Sequence, residues 1–257
     1  MFKLLEAALV HPLRRHRARN PCNPEANCDA DMTNIGRQSL SSTLVAVAAA
    51  MVLIGTLYFA SLRPGYSHIS NTISELGETG APQAHSVAFG FFLPVGVIVW
   101  WSLWLVYGHR SGSSDTSLTL MVFSGLGTGY VLAAFFPCDP GAPLFGSWRT
   151  LLHNAAGVID YGGTSLGFLL FCRYCARHKM KAQAIAFGIA AALGFIALIL
   201  LRLQPAFPVR GAVQRTTELI QFAGVFFVCH MLSTRTAPNQ RPVPARPTLA
   251  RCKKYHR

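Results

Sequence analysis

Residues 43–62 read TLVAVAAAMVLIGTLYFASL, from Thr43 to Leu62, without one charged side chain, and Arg63-Pro64 closes the run. At 1.5 Å per residue such a stretch reaches across the roughly 30 Å of a bilayer's hydrocarbon. Five more runs of the same kind follow, at Ser86–Tyr107, Leu118–Phe136, Leu151–Cys172, Ala182–Leu201 and about Val213–Leu232. Hydrocarbon offers no partner to a backbone amide, so segments of this length satisfy themselves as helices. The expected fold is all-α, a polytopic bundle of six transmembrane helices.

Composition agrees. Of the 257 residues, 51% are hydrophobic and only 13% charged, where a soluble domain carries about 25%. A soluble globule would have to hide six apolar helices behind very little polar surface. The net charge of +13 is concentrated between and beyond the spans, which points to orientation and anionic lipid headgroups rather than nucleic acid. Eighteen of the 23 Lys and Arg residues fall in the N-terminal tail, the second and fourth loops and the C-terminal tail. Five fall in the other three loops. The positive-inside rule then places both termini in the cytoplasm (N-in/C-in).

Three regions result: a polar tail at 1–42, the six-helix domain at 43–232 and a basic tail at 233–257. Both tails mix Pro with Arg and are expected to be disordered and drawn to anionic lipid. Met32, just upstream of the first span, is a second candidate start. The pair Cys172 and Cys175 has C-x-x-C spacing but no second pair to complete a metal site, and reads as reduced thiols. Gly125 with Gly129, and Gly163 with Gly167, have the G-x-x-x-G spacing that lets helices approach closely. Packing within the bundle is the expected use.

Once this topology is drawn, the unusual polar residues gather on the outward side. His68, Ser74 and Glu75 stand in the first loop, Asp139 in the third, His153 at the mouth of span four, and Arg215 and Glu218 at the start of span six. Asp160 and Glu218 lie inside spans, where a charge costs several kcal/mol and so faces a bundle interior or a wet cavity. The expected site is a polar pocket of His68, Ser74, Glu75, Asp139, Arg215 and Glu218, with His153, Asp160, Glu75 and Glu218 as candidates for acid–base chemistry. Several readings stand side by side. The cluster fits binding or modification of a lipid or amphiphile, or a small carrier or accessory subunit without catalysis. It also fits a salt-bridged network of Arg210 or Arg215 with Glu218 or Glu75 that pins the loops. No H-x-x-x-H or H-E-x-x-H pair anchors a metal, and the G-x-S-x-G spelling at Gly163–Gly167 falls inside an apolar span rather than at a strand-to-helix elbow, so no cofactor is expected.

The segment Asn71-Thr72-Ile73-Ser74-Glu75-Leu76-Gly77 with Gly80-Ala81-Pro82 resembles the first signature of the bacterial and archaeal membrane proteins known as domain of unknown function 998. The Phe136-Pro137-Cys138-Asp139 turn with His153, and Gly211 to Glu218 with Gln214-Arg215, are similar to the second and third. The resemblance covers about residues 40–232 and implies a six-helix bundle of a bacterial cytoplasmic membrane, without an agreed activity. The Ile73–Gly77 segment is also loosely similar to the eukaryotic lipid-remodelling and autophagy-modulator membrane proteins, with Glu75 in place of their aspartate. That likeness points to lipid as the ligand class.

Overall fold

The first helix, α1 (Pro24–Ser61), owes its length to a run from Leu40 that contains neither proline nor charge. It stops just before Pro64, because a residue ahead of proline is driven out of helical backbone angles. The computed structural model describes residues 24–110, 114–203 and 207–234. It divides into two units, Met1–Gly36 and Arg37–Arg257, and the second holds the six apolar spans. Of the tails expected to be disordered, residues 1–23 and 235–257 lie outside the described residues, while residues 24–42 of the first belong to α1.

After a loop holding the single 3-10 turn Ile73–Gly77 come α2 (Ala84–Gly108), α3 (Ser114–Phe135), α4 (Trp148–Arg177), α5 (Lys181–Arg202) and α6 (Arg210–Thr234). Among the described residues there is no strand, and six helices are long and apolar enough to cross a membrane. The protein is all-α.

Helices α2, α3, α4, α5 and α6 close a ring in which each packs on the next and α6 returns to α2. The core between them is aromatic and branched, with Phe123, Phe168, Phe171 and Val225 fully enclosed. Helix α1 leans on this ring through Gly55, where an added Cβ would lie 2.9 Å from the Phe91 ring, and through a Ser41–Ser233 hydroxyl contact of 3.1 Å. The two G-x-x-x-G pairs meet each other inside the bundle. A Cβ on Gly163 would sit 3.5 Å from Gly125 Cα, and one on Gly125 would sit 2.5 Å from the Ile159 carbonyl oxygen. No side chain fits between α3 and α4 there.

Two helices carry a π turn. In α2 it spans Ala88–Phe92, just ahead of Pro94, which has no amide to offer the preceding turn. In α4 it spans Val158–Gly162, between Gly157 and Gly163. An extra residue in one turn rotates everything beyond it, and such turns recur at functional sites. This one carries Asp160 and Tyr161, both buried. At the opposite end of the bundle, Arg177 of α4 pairs with Asp115 of α3. Cys172 and Cys175 form no disulfide among the described residues.

Candidate functional site

The loops after α1 and α3 and the start of α6 meet at one end of the bundle, and arginines tie them together. Glu75, 2% exposed, stands at the third position of the 3-10 turn. Its Oε1 accepts from the Thr72 amide at 2.7 Å, the Thr72 hydroxyl at 3.0 Å and Arg210 at 2.8 Å. Its Oε2 accepts from the Asn71 amide group at 2.6 Å. The reach back to Thr72 is that of the acid in a capping box. Arg210 also donates to the Gly141 carbonyl at 2.9 Å, which joins α6 to both loops.

A second acid repeats the device. Glu78 accepts from Arg63 at 2.5 Å and from the Gly141 amide at 2.7 Å, while Arg63 also donates to the Glu75 carbonyl. Asp139 belongs to this end as well, accepting from the Ser147 amide at 2.6 Å and hydroxyl at 2.9 Å. Those two donors, the amide first, hold its carboxyl below the usual carboxylate range. Cys138 lies beneath, 1% exposed, and burial pushes its thiol up to about 12. We call this end the clamped end.

Arg215 takes a different route from the ion pair expected with Glu218. Its guanidinium donates to the carbonyls of His68 at 2.9 Å, Asn71 at 2.8 Å and Gly211 at 2.9 Å, and to the Tyr66 hydroxyl at 2.6 Å. The irregular backbone of the first loop leaves carbonyls that no helix can satisfy, and one arginine gathers them. Gly211 allows the approach, since a Cβ there would lie 2.9 Å from the His68 carbonyl oxygen. The alternative pairing, Arg210 with Glu75, does form.

Below the clamp lies a polar cavity of about 40 Å³, walled by Ser74, Tyr130, His153, Asp160, Tyr161 and Glu218, among others. A water needs roughly 10–15 Å³ on this measure, so the cavity holds a few. Glu218 accepts from the Tyr161 hydroxyl at 2.6 Å and the Tyr130 hydroxyl at 2.9 Å. Asp160 is 6% exposed and its Oδ1 has no hydrogen-bond partner among the described residues. A Cβ on Gly129 would lie 3.0 Å from Asp160 Oδ2, so glycine makes the room that this carboxylate occupies. His153 Nδ1 lies 2.9 Å from the Phe136 carbonyl oxygen. A carbonyl only accepts, so Nδ1 carries the proton.

Two further spaces adjoin. One of about 60 Å³ shares Ser74, His153, Tyr161 and Gln214 with the polar cavity and extends it to Asn154, Ala142 and Arg202. The other is an apolar groove of about 410 Å³ between α1 and α6, lined by Ala49, Leu53, Thr56, Leu219 and Phe222 and bordered by His68 and Arg215. Ile73 and Glu218 stand in the walls of both the groove and the polar cavity.

The sequence candidates therefore divide. His153, Asp160, Glu218 and Ser74 surround one cavity, His68 and Arg215 border the groove, and Glu75 and Asp139 are held within the clamp. Among the described residues no three His, Cys, Asp or Glu side chains are grouped to hold a metal ion. Sequence reasoning passes over Tyr130 and Tyr161, which read as ordinary span aromatics, and gives no role to Glu78 or Gln214. The Oε1 of Gln214 accepts from the Ile73 amide at 2.6 Å and so caps the 3-10 turn. A tyrosine rather than phenylalanine within a span is the one signal present, since a buried hydroxyl needs a partner.

A ring of apolar helices, a loop end locked by buried ion pairs and two acids beneath it define an integral membrane protein with six membrane-spanning helices. The chain belongs to the family described as protein of unknown function (DUF998), whose sequence profile matches residues 46–231. No curated protein and no solved structure matches the chain.

Proposed function

We propose that the clamped end faces outward and that the bundle binds an amphiphile taken from the surrounding bilayer. The apolar part lies in the groove between α1 and α6, and the headgroup reaches the polar cavity. The observation that carries this reading is the double role of Ile73 and Glu218, which wall the apolar groove and the polar cavity at once. A ligand that filled both would be apolar at one end and hydrogen-bonding at the other. Groove volume is in the range of small-molecule sites, and its walls are mostly hydrophobic with few polar groups, as such sites are. Water reaches the headgroup from the other side, past Asn154 and Arg202.

The outward orientation rests on the distribution of Lys and Arg, and the membrane is taken to be the cytoplasmic membrane of a bacterium. In this arrangement the basic tails lie on the cytoplasmic leaflet and attract anionic headgroups. The test is extraction: the full chain is purified from membranes in mild detergent and its retained lipid is measured by native mass spectrometry. Retention of lipid by the parent, and its loss in Ala50→Phe, which puts an aromatic ring into the groove from an exposed position, are expected. Equal retention by the parent and Ala50→Phe overturns the reading.

A further inference from the structure

From the hydrogen-bonding inventory of the polar cavity, and resting on the amphiphile reading above, we propose that its headgroup subsite takes an ammonium that carries N–H bonds.

None of the donors in the cavity wall reaches Asp160 Oδ1, neither the Ser74 hydroxyl nor the Gln214 amide, and the others are spent elsewhere. Tyr130 and Tyr161 both direct their hydroxyls at Glu218. The proton of His153 sits on Nδ1 against the Phe136 carbonyl, so the Nε2 of the neutral ring is an acceptor. Asp160 stands in the wall of this same cavity, and its enclosed Oδ1 has no partner among the described residues. A buried carboxylate oxygen without a donor is among the more costly groups a protein keeps. Something that enters the cavity supplies the missing bond.

Charge points the same way. None of the nearby arginines pairs with Asp160 or Glu218: Arg63 is on Glu78, Arg210 on Glu75, Arg215 on backbone carbonyls and Tyr66, and Arg202, which lines the adjoining space, donates to the Asn154 carbonyl. Asp160 and Glu218 are in no ion pair among the described residues, although both stand in apolar helices where charge is expensive. An N–H ammonium provides positive charge and several donors while bringing no acceptor. A quaternary ammonium provides the charge without the donors, and a hydroxylated headgroup provides donors without the charge. The small volume favours a slim headgroup of this kind.

The experiment offers the purified full chain three lipids with identical acyl chains and a shared phosphodiester: phosphatidylethanolamine, phosphatidylcholine and phosphatidylglycerol. Binding is read by native mass spectrometry. A charge-assisted hydrogen bond contributes about 1.5–3 kcal/mol, so phosphatidylethanolamine is expected to bind roughly tenfold or more tightly than the other two. Asp160→Asn should reduce that preference to about twofold, and Gly129→Ala, whose Cβ collides with Asp160 Cβ and displaces that side chain, should reduce it too. Ala50→Phe should weaken all three lipids alike. Equal binding of the three by the parent overturns the ammonium subsite, with no variant needed. If Ala50→Phe still weakens them all, the amphiphile reading survives that failure. Failure of all three lipids to bind overturns both.

Discussion

Replacing Glu75 by glutamine should unfasten the clamped end. The carboxylate accepts four hydrogen bonds, three at Oε1 and one at Oε2. A glutamine has one oxygen and one NH2 group, so it must turn a donor towards one of these two sets. The lesser harm is to keep its oxygen on the Thr72 and Arg210 side and to oppose its NH2 to Asn71. Asn71 cannot flip to accept, because its Oδ1 already receives the Ser67 amide at 2.9 Å. The larger loss is the ion pair, with Arg210 13% and Glu75 2% exposed at the side chain. Removing one partner of a buried pair costs about 3–5 kcal/mol. Because Arg210 keeps the Gly141 and Ser70 carbonyls, the lower end, about 3 kcal/mol, is expected. At roughly 2–4 °C per kcal/mol for a chain of this size, Tm should fall by about 6–12 °C in a thermal scan of the detergent-purified protein. The double variant Glu75→Gln with Arg210→Gln should be milder than the sum of the singles by about 1 kcal/mol or more. A Glu75→Gln protein that melts within about a degree of the parent, or a cycle with no coupling, would refute the clamp.

The same cycle run on Glu218 and Arg215 should show no coupling, because Arg215 is bonded elsewhere, while Glu218 and Tyr161 should couple. Asp139, whose carboxyl is depressed in the folded protein, contributes stability that is present above the unfolded value of about 3.9 and lost as pH falls through the lower folded value. Asp139→Asn should therefore show a shallower fall in Tm below about pH 4 than the parent, and an identical acid limb would contradict this. Cys138, with its thiol at about 12 and 1% exposure, should resist maleimide at neutral pH until the protein is denatured, while half-buried Cys172 labels sooner. Reporter fusions after Arg177 should read cytoplasmic and one near Gly141 should read outside; the reverse would invert the proposed orientation.

The spans were legible because bilayer thickness imposes a length and hydrocarbon excludes charge, two constraints that leave marks in a single sequence. The close pass of α3 and α4 was legible for a similar reason, since Gly125 and Gly163 admit a neighbour and larger residues would not. Gathering His153, Asp160 and Glu218 at one end needed only the order of the loops. Their arrangement around one cavity was not legible. The π turn at Val158–Gly162 adds a residue to one turn, so a face counted at 3.6 residues per turn loses its phase there. The partners of Glu218 lie 88 and 57 residues away in sequence, and nothing in the local pattern marks a tyrosine as bonded rather than merely apolar. The pairing of Arg215 with Glu218 fails for a further reason. Charged neighbours on one helix face suggest a salt bridge, but the strongest acceptors in reach are unpaired loop carbonyls, which carry no sequence signature at all.

Acids in apolar surroundings can serve either architecture or binding, and here the location of the cations separates the two. At the clamped end every acid that is nearly enclosed meets an arginine: Glu75 with Arg210, Glu78 with Arg63. Those pairs join segments far apart in the chain and leave no bonding capacity open, so their loss is felt as loosened loops. Deeper in the bundle the pattern changes. Glu218 is held by two phenols, Asp160 Oδ1 by nothing, a small cavity adjoins both, and Gly129 makes the room that the Asp160 side chain fills. A bundle selected only for stability would pair or remove the acid, because an empty polar cavity and a lone buried carboxylate both cost free energy. Retaining both is what the proposed binding site requires. Substitutions at Glu75 or Glu78 should consequently act on melting first, and substitutions at Asp160 on what the protein holds.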